Sequence, residues 1–307
     1  MNRSVVVVVA AVLALAGCAS GERAESTVIA TTMSPTTSAA PATTAGPTTT
    51  VAPATTTVPT TTVPTTTTPP ATTVPATTTV PPTTVVPIAV SAVLEQRTLG
   101  TSAGGLPIDA VRRGTPGGRV VLVIGVIHGD EPAGAAIVDR LAQLDVAAGV
   151  DLWTVRAMNP DGLAANDRHN ANQVDLNRNF PYEWGPIGQP GEGQYAGTGP
   201  ASEPETQAMV AFISEIRPDL VIWYHQDLYR INPGTGRNGA IRARYAELTG
   251  LPLVDITGGT YTGVAATWAR HELDPGVAFI VELGPTLSVD EADLHASAVL
   301  TVAAEDN

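Results

Sequence analysis

Two histidines and a glutamate carry the spacing that most plainly suggests chemistry. His128 and Glu131 stand in the run Gly125-Val126-Ile127-His128-Gly129-Asp130-Glu131-Pro132. A histidine and a carboxylate three residues apart on one turn can face a single cation. His225 lies far along the chain, in Trp223-Tyr224-His225-Gln226-Asp227. Three such ligands leave a fourth position open, which is the catalytic form of a metal site rather than the closed structural form. The set suits zinc, and it also suits cobalt or manganese. His-x-x-Glu is a weak signal by itself, so satisfied polar residues at strand ends stand as the competing reading on residue types alone. The remaining histidines, His169, His271 and His295, sit in polar or helical surroundings and read as solvated or structural.

Composition removes several other chemistries. Every basic residue is arginine, so Schiff-base catalysis and the phosphate-loop lysine are both excluded. The single cysteine, Cys18, lies near the N-terminus, which leaves the rest of the chain without a disulfide or a thiolate ligand. Net charge is −13 over 307 residues, and the four charges among the first ninety residues (Arg3, Glu22, Arg23, Glu25) cancel. The excess therefore belongs to the C-terminal part, and an acidic domain repels phosphate backbones, so nucleic acid is not an expected partner.

The candidate ligands need elements to position them. Val120–Val126 is a continuous apolar, β-branched run, the pattern of a strand buried on both faces. Leu152–Ala157, Leu220–Tyr224 and Val277–Val281 read the same way. Pro132–Leu144 carries Ala136, Ile137, Leu141 and Leu144 at helical spacing. Ser202-Glu203-Pro204-Glu205 has the form of a capping box before Met209, Val210, Phe212 and Ile213. Strands alternating with helices predict an α/β single domain, with a mostly parallel, mixed central sheet flanked by helices. In such sheets ligands gather beyond the carboxyl ends of the strands, which is where His128 and His225 fall.

Ahead of that domain the chain divides into two further zones. Residues 1–17 read as a signal peptide: Arg3 precedes an apolar run, Val5–Leu15, shorter than a membrane-spanning helix of about 20 residues. Leu15-Ala16-Gly17-Cys18 resembles the lipobox of bacterial lipoproteins, which implies acylation of Cys18 and a lipid anchor to the membrane. Residues 18–90 read as a disordered linker, since Ser26–Pro87 consists mostly of Thr, Pro, Ala and Val with loose Thr-Thr-Val-Pro repeats and no charged or aromatic residue. The expected location is the outer face of the cell membrane, with residues 91–307 held off it as the catalytic domain.

Further motifs give the domain a family resemblance. Asn159-Pro160-Asp161-Gly162 is followed by Arg168-His169-Asn170, then by Val174-Asp175-Leu176-Asn177-Arg178-Asn179-Phe180-Pro181. With His128-x-x-Glu131, His225 and Val281-Glu282-Leu283-Gly284, this resembles the M14 zinc metallocarboxypeptidase pattern, in its small bacterial murein tripeptide amidase branch. The resemblance implies one zinc ion on His128, Glu131 and His225. It implies that Glu282 is the general base that takes a proton from water and passes it to the leaving amine. Arg168 matches the arginine that stabilises the oxyanion. Asn177 and Arg178 match the pair that grips the substrate's free carboxylate, a task that suits a guanidinium fork. Asp175 matches the carboxylate that orients a zinc histidine, a role open also to Asp130. Val254 stands where the family's well-known enzymes carry a mobile tyrosine before a glycine pair, here Gly258-Gly259. Tyr261, just beyond the pair, is a candidate substitute or a lining residue of the substrate pocket.

The implied activity is zinc-dependent hydrolysis of the terminal amide of a peptide with a free carboxylate. A cell-wall stem peptide, cut between γ-D-glutamate and a diamino acid, is the implied substrate. Two alternatives stand beside it. One is deacylation of N-acyl amino acids, as in the desuccinylase and aspartoacylase group, which shares the metal pattern. The other is a non-catalytic lipoprotein that binds wall peptides.

Overall fold

The computed structural model describes residues 91–305. The leader, Cys18 and the Thr/Pro-rich stretch lie outside these residues. Seven strands form one sheet: β1 (Val93–Thr101), β2 (Pro107–Gly114), β3 (Arg119–Ile124), β4 (Val150–Val155), β5 (Leu220–Gln226), β6 (Arg230–Ile231) and β7 (Val277–Leu283). The strand order is β1-β2-β4-β3-β5-β7-β6. The central four, β4-β3-β5-β7, are parallel, whereas β1, β2 and β6 join antiparallel at the two edges. Six helices complete the domain: α1 (Ala133–Leu141), α2 (Pro160–Ala165), α3 (Pro204–Ile216), α4 (Gly236–Thr249), α5 (Ala265–Glu272) and α6 (Val289–Ala304). None of the helices among the described residues is long and apolar enough to cross a membrane.

The continuous apolar runs are explained by burial on both faces of the parallel strands. Successive side chains of a strand point to opposite faces, so each central strand feeds two cores. Val121, Val123, Ile222, Tyr224, Phe279 and Val281 pack into one core with Ile137 of α1, Ile241 and Tyr245 of α4, and Val299 of α6. Leu122, Ile124, Val221, Trp223 and Ala278 pack into the other with Met209 and Phe212 of α3 and Trp268 of α5. The expected strands and the α/β architecture are therefore present. The boundaries shift by a few residues: β3 stops at Ile124, leaving Gly125–Ile127 as loop backbone that delivers His128, and β5 extends through His225.

The helix before β5 starts differently from the expected capping box. Glu203 occupies the N-cap of α3 and its side chain makes no cap bond. Ser202 Oγ instead donates to Glu203 Oε1 at 2.7 Å. Glu205 is fully buried and accepts from the Ala103 N–H at 2.9 Å and from Asn170 Nδ2 at 3.0 Å. Both carboxylates are drawn to the donors of the Asn170–Asn172 loop, which satisfies buried groups that a surface cap would have left unpaired. The capping box that does form is Ser288–Glu291 at the start of α6, with each side chain on the other's N–H.

Candidate active site

The parallel register of β5 and β7 sets the geometry of the site. His225 pairs with Glu282 on the adjacent strand, so both side chains leave the same face of the sheet at the same level. The loop after β3, one strand over, supplies His128 and Glu131. His128 Nδ1 lies 2.8 Å from Glu131 Oε1, and His225 Nδ1 lies 2.9 Å from Glu131 Oε2. All three residues are buried, and one ligand atom from each falls within 4.8 Å of the others. A tetrahedral ion with bonds of about 2 Å separates its ligand atoms by roughly 3.3 Å, so this donor set fits a zinc-sized cation.

The opposite ring nitrogens are engaged as a metal site requires. Asp175 Oδ1 sits 2.9 Å from His128 Nε2, so the ring is held by its far nitrogen while Nδ1 faces the cluster. Asp130, the other candidate for this contact, is exposed. Asn177 Nδ2 lies 3.4 Å from His225 Nε2 and its Oδ1 accepts from the Ala265 N–H at 3.0 Å. Asn177 therefore fixes the second histidine and the start of α5, a positioning role alongside the carboxylate grip expected of it. Burial opposes a charge on Glu131, but hydrogen bonds with His128 and His225 hold its carboxyl far below the ordinary range. Asp175 behaves alike: burial is outweighed by His128 and Arg168.

The remaining predicted residues surround this cluster in a cleft of about 550 Å³. Arg168 donates from Nη1 to Glu131 Oε1 at 3.1 Å and from Nη2 to Asp175 Oδ2 at 2.8 Å, which sets its guanidinium against the ligand atoms. Arg178 is buried, donates to its neighbour's carbonyl, Asn177 O, and keeps its Nε without a partner among the described residues. Its guanidinium carbon lies 5.4 Å from the Tyr261 ring, and half-exposed Tyr261 lines the cleft. Val254 is exposed and does not line the cleft. His169 and His271 lie elsewhere, on Asp167 and on Tyr182, and His295 is buried against the Tyr245 hydroxyl.

Glu282 Oε2 is buried without a hydrogen-bond partner among the described residues. Burial, with the nearby Glu131 charge, pushes its carboxyl up to about 7. A carboxyl so placed is suited to exchange a proton near neutral pH.

The Asn159-Pro160-Asp161-Gly162 motif acts through backbone contacts. Asn159 Nδ2 donates to Ile127 O at 3.0 Å while its Oδ1 accepts from the Gly162 N–H at 2.9 Å, tying α2 to the His128 loop. Gly162 then presses on Gly129: a Cβ at Gly129 would sit 1.9 Å from the Gly162 carbonyl carbon. Sequence reasoning missed three further cleft residues, Arg230, Arg242 and Arg270. A signal was present in Arg242, which sits between Ile241 and Tyr245 on the apolar side of a helix.

Comparison with known proteins follows the same motifs. The zinc carboxypeptidase (Peptidase M14) family profile matches residues 88–232. The chain is 31% identical to murein peptide amidase A of Escherichia coli strain K12 over 182 residues, covering 56% of this chain and 73% of that protein. It is 27% identical to murein peptide amidase A of Vibrio campbellii over 197 residues, covering 60% of this chain and 77% of that protein. Among solved structures, murein-tripeptide amidase of Escherichia coli O157 superposes with a TM-score of 0.57 at 26% identity, over 69% of this chain and 92% of that one. Carboxypeptidase A of Helicoverpa armigera shares the fold, with a TM-score of 0.60 at 20% identity, over 69% of this chain and 68% of that one.

Two measurements check this geometry. Gly129→Ala should cost more than about 2 kcal/mol of stability, because the new methyl group meets the Gly162–Leu163 backbone of α2; urea unfolding reads it, and an unchanged midpoint would contradict the contact. Glu282→Gln should stabilise the metal-free protein at pH 8 by about 1–3 kcal/mol and leave it unchanged at pH 4. The sign follows from a folded-state carboxyl raised above its unfolded value: between about pH 4.5 and 7 the unfolded chain releases its proton first, so wild-type stability falls as pH rises. Thermal unfolding of both proteins across that range in chelator decides it.

Proposed function

The chain belongs to the zinc carboxypeptidase (M14) family, and we propose that it removes the C-terminal residue of cell-wall stem peptides by hydrolysing the amide that follows γ-D-glutamate. The observation that carries this reading is the convergence of His128, Glu131 and His225 in one cleft with Glu282, Arg168 and Arg178. Similarity to two murein peptide amidases supports the choice of substrate.

One zinc ion held by His128, Glu131 and His225 would supply a Lewis acid that polarises the scissile carbonyl and makes water acidic enough to attack. Glu282, across the strand pair from His225, takes the proton from that water and returns it to the leaving amine. Its raised carboxyl places both transfers near neutral pH. Arg168 presents fixed N–H donors where negative charge develops on the carbonyl oxygen, so no reorganisation is needed as the charge forms. Arg178, short of acceptors and turned toward Tyr261, pairs with the terminal carboxylate and sets which amide lies over the metal ligands. Asp175 and Asn177 hold the two histidines by their far nitrogens.

The envelope location belongs to the same proposal. Cys18, after Leu15-Ala16-Gly17, is the acylation site, and the Thr/Pro-rich segment is the tether. Cys18→Ala should shift the protein from the membrane fraction to the soluble fraction; retention in the membrane would remove the anchor from the reading.

The activity itself is tested with the zinc-loaded protein on three substrate classes: a wall tripeptide ending in a diamino acid, ordinary C-terminal dipeptides, and N-acyl amino acids. The tripeptide should be hydrolysed, with kcat reduced on the order of 10³-fold in Glu282→Gln. Release of acetate or succinate from N-acyl amino acids alone would establish the deacylase instead.

A further inference from the structure

Arg168 is placed to meet charge on the scissile carbonyl, and its own placement draws on a loop with little to hold it. Residues 188–194, Gly-Gln-Pro-Gly-Glu-Gly-Gln, form neither helix nor strand and carry no large apolar side chain. Residues 189–194 are all exposed. Three glycines in this stretch of seven raise the entropy lost on ordering, and no core burial offsets that loss. The loop closes on itself through the Ala196 N–H to Ile187 O at 3.0 Å and the Glu192 N–H to Gln189 O at 2.8 Å. Among the described residues, two side chains from outside the loop hydrogen-bond to residues 189–194. Arg168 Nε donates to Gly193 O at 2.9 Å, and His169 Nε2 lies 3.1 Å from Glu192 O.

Neighbouring residues of one segment thus hold neighbouring carbonyls of another. The His169 ring is itself fixed on the far side. Its Nδ1 lies 2.9 Å from Asp167 Oδ1, and the same oxygen accepts the His169 N–H at 2.9 Å. These two bonds hold the Asp167 carboxyl below the usual carboxylate range. On the loop side the titratable group beside the contact is Glu192, whose Oε2 is taken up by the Gln189 N–H at 3.0 Å. A ring with an acceptor at each nitrogen fills both bonds only as imidazolium. When it gives up one proton, the bond to the carboxylate is the stronger and is kept, so the donor lost is the one that faces Glu192.

We propose that His169 is a positioning residue for the hydrolysis: it pins the loop by the Glu192 carbonyl, so that the adjoining Gly193 carbonyl fixes Arg168 for the developing oxyanion. The inference rests on the function proposed above, in which Arg168 stabilises that charge. Without the clasp, Gly193 O moves with a loose glycine-rich turn and Arg168 Nε loses a fixed acceptor. The guanidinium is then left to Glu131 and Asp175, which tether its other nitrogens but do not set its tilt alone. His169 acts through Arg168, so its loss is felt in the transition state. Capture of the substrate's carboxylate belongs to Arg178 and is spared.

The test compares zinc-loaded wild type with two variants. His169→Asn keeps a donor at the Nδ1 position but does not reach Glu192, whereas His169→Gln keeps one at the Nε2 position. On the wall tripeptide, His169→Asn should lower kcat about 10-fold, the effect of one hydrogen bond to a charged group, with KM within about 2-fold. His169→Gln should recover most of that rate. Hydrogen exchange, which needs no turnover, should show residues 189–194 losing protection in His169→Asn and keeping it in His169→Gln. Corrected for intrinsic rates, protection should also fall in wild type as pH rises from about 5 to 8, and stay level in His169→Gln. Equal losses of kcat in both variants, an unaltered kcat in His169→Asn, or a wild-type loop equally protected across that range would overturn the proposal. A loop that loosens as expected in a protein that hydrolyses no tripeptide would sink the proposed function and leave the clasp standing; kcat is then compared on the substrate class that is hydrolysed.

Discussion

The site depends on one carboxylate that cannot be left alone. Glu131 is buried at the carboxyl end of a parallel sheet, and a buried charge survives only when its neighbours compensate it. Its two oxygens meet His128, His225, Arg168 and the Gln226 N–H. Three of those partners are side chains fixed in turn: His128 by Asp175, His225 by Asn177 and its place on β5, and Arg168 by Asp175 and the Gly193 carbonyl. The loops that look irregular in sequence, Gly125–Pro132 and Arg168–Pro181, are therefore the two halves of one electrostatic assembly. The sheet contributes a register that places Glu282 beside His225 but leaves its Oε2 with no partner among the described residues.

That difference in partnering separates the roles of the two glutamates. Glu131 is surrounded by donors and stays ionised, which suits a cation ligand. Glu282 is half-buried with less compensation and is kept near the balance between its two protonation states. The same residue type serves two purposes because one sits in a polar network and the other against the apolar flank of β7. The arginines follow a parallel logic: Arg168 is neutralised within the protein, whereas Arg178, Arg242 and Arg270 have no carboxylate partner among the described residues and face a cleft.

Much of this was legible from the residues. The β-branched runs announced strands buried on both faces, and each becomes a central strand of the sheet. The motif residues His128, Glu131, His225, Arg168, Arg178 and Glu282 come together in one cleft, because strand ends of a parallel sheet all open on the same side. What could not be read was tertiary in origin. Ser202 and Glu205 have the spacing of a capping box, but Asn170 and the Ala103 N–H, brought in from distant segments, compete for the carboxylates and win. Arg242 and Arg270 lie on separate helices with no motif around them, and only the packing of α4 and α5 on β7 brings both to the Ala278 carbonyl. Asn177 was read as a substrate contact, and its hold on His225 becomes visible only once β5 is in place.

The sheet's margins have a consequence for how the protein behaves in company. A β-sheet normally ends in a row of unpaired backbone groups that can recruit a strand from another molecule. Here one margin is β6, only two residues long, which offers almost nothing to pair with. The other is β1, nine residues long, but its register breaks between Val93 and Glu95 and again between Thr98 and Gly100. It also carries Glu95 and Arg97, whose charges resist a dry, flat partner. Interruptions and charge at one end and brevity at the other make the sheet a poor template for growth. A domain with seven strands and a strongly apolar centre can thus be crowded together without joining edge to edge.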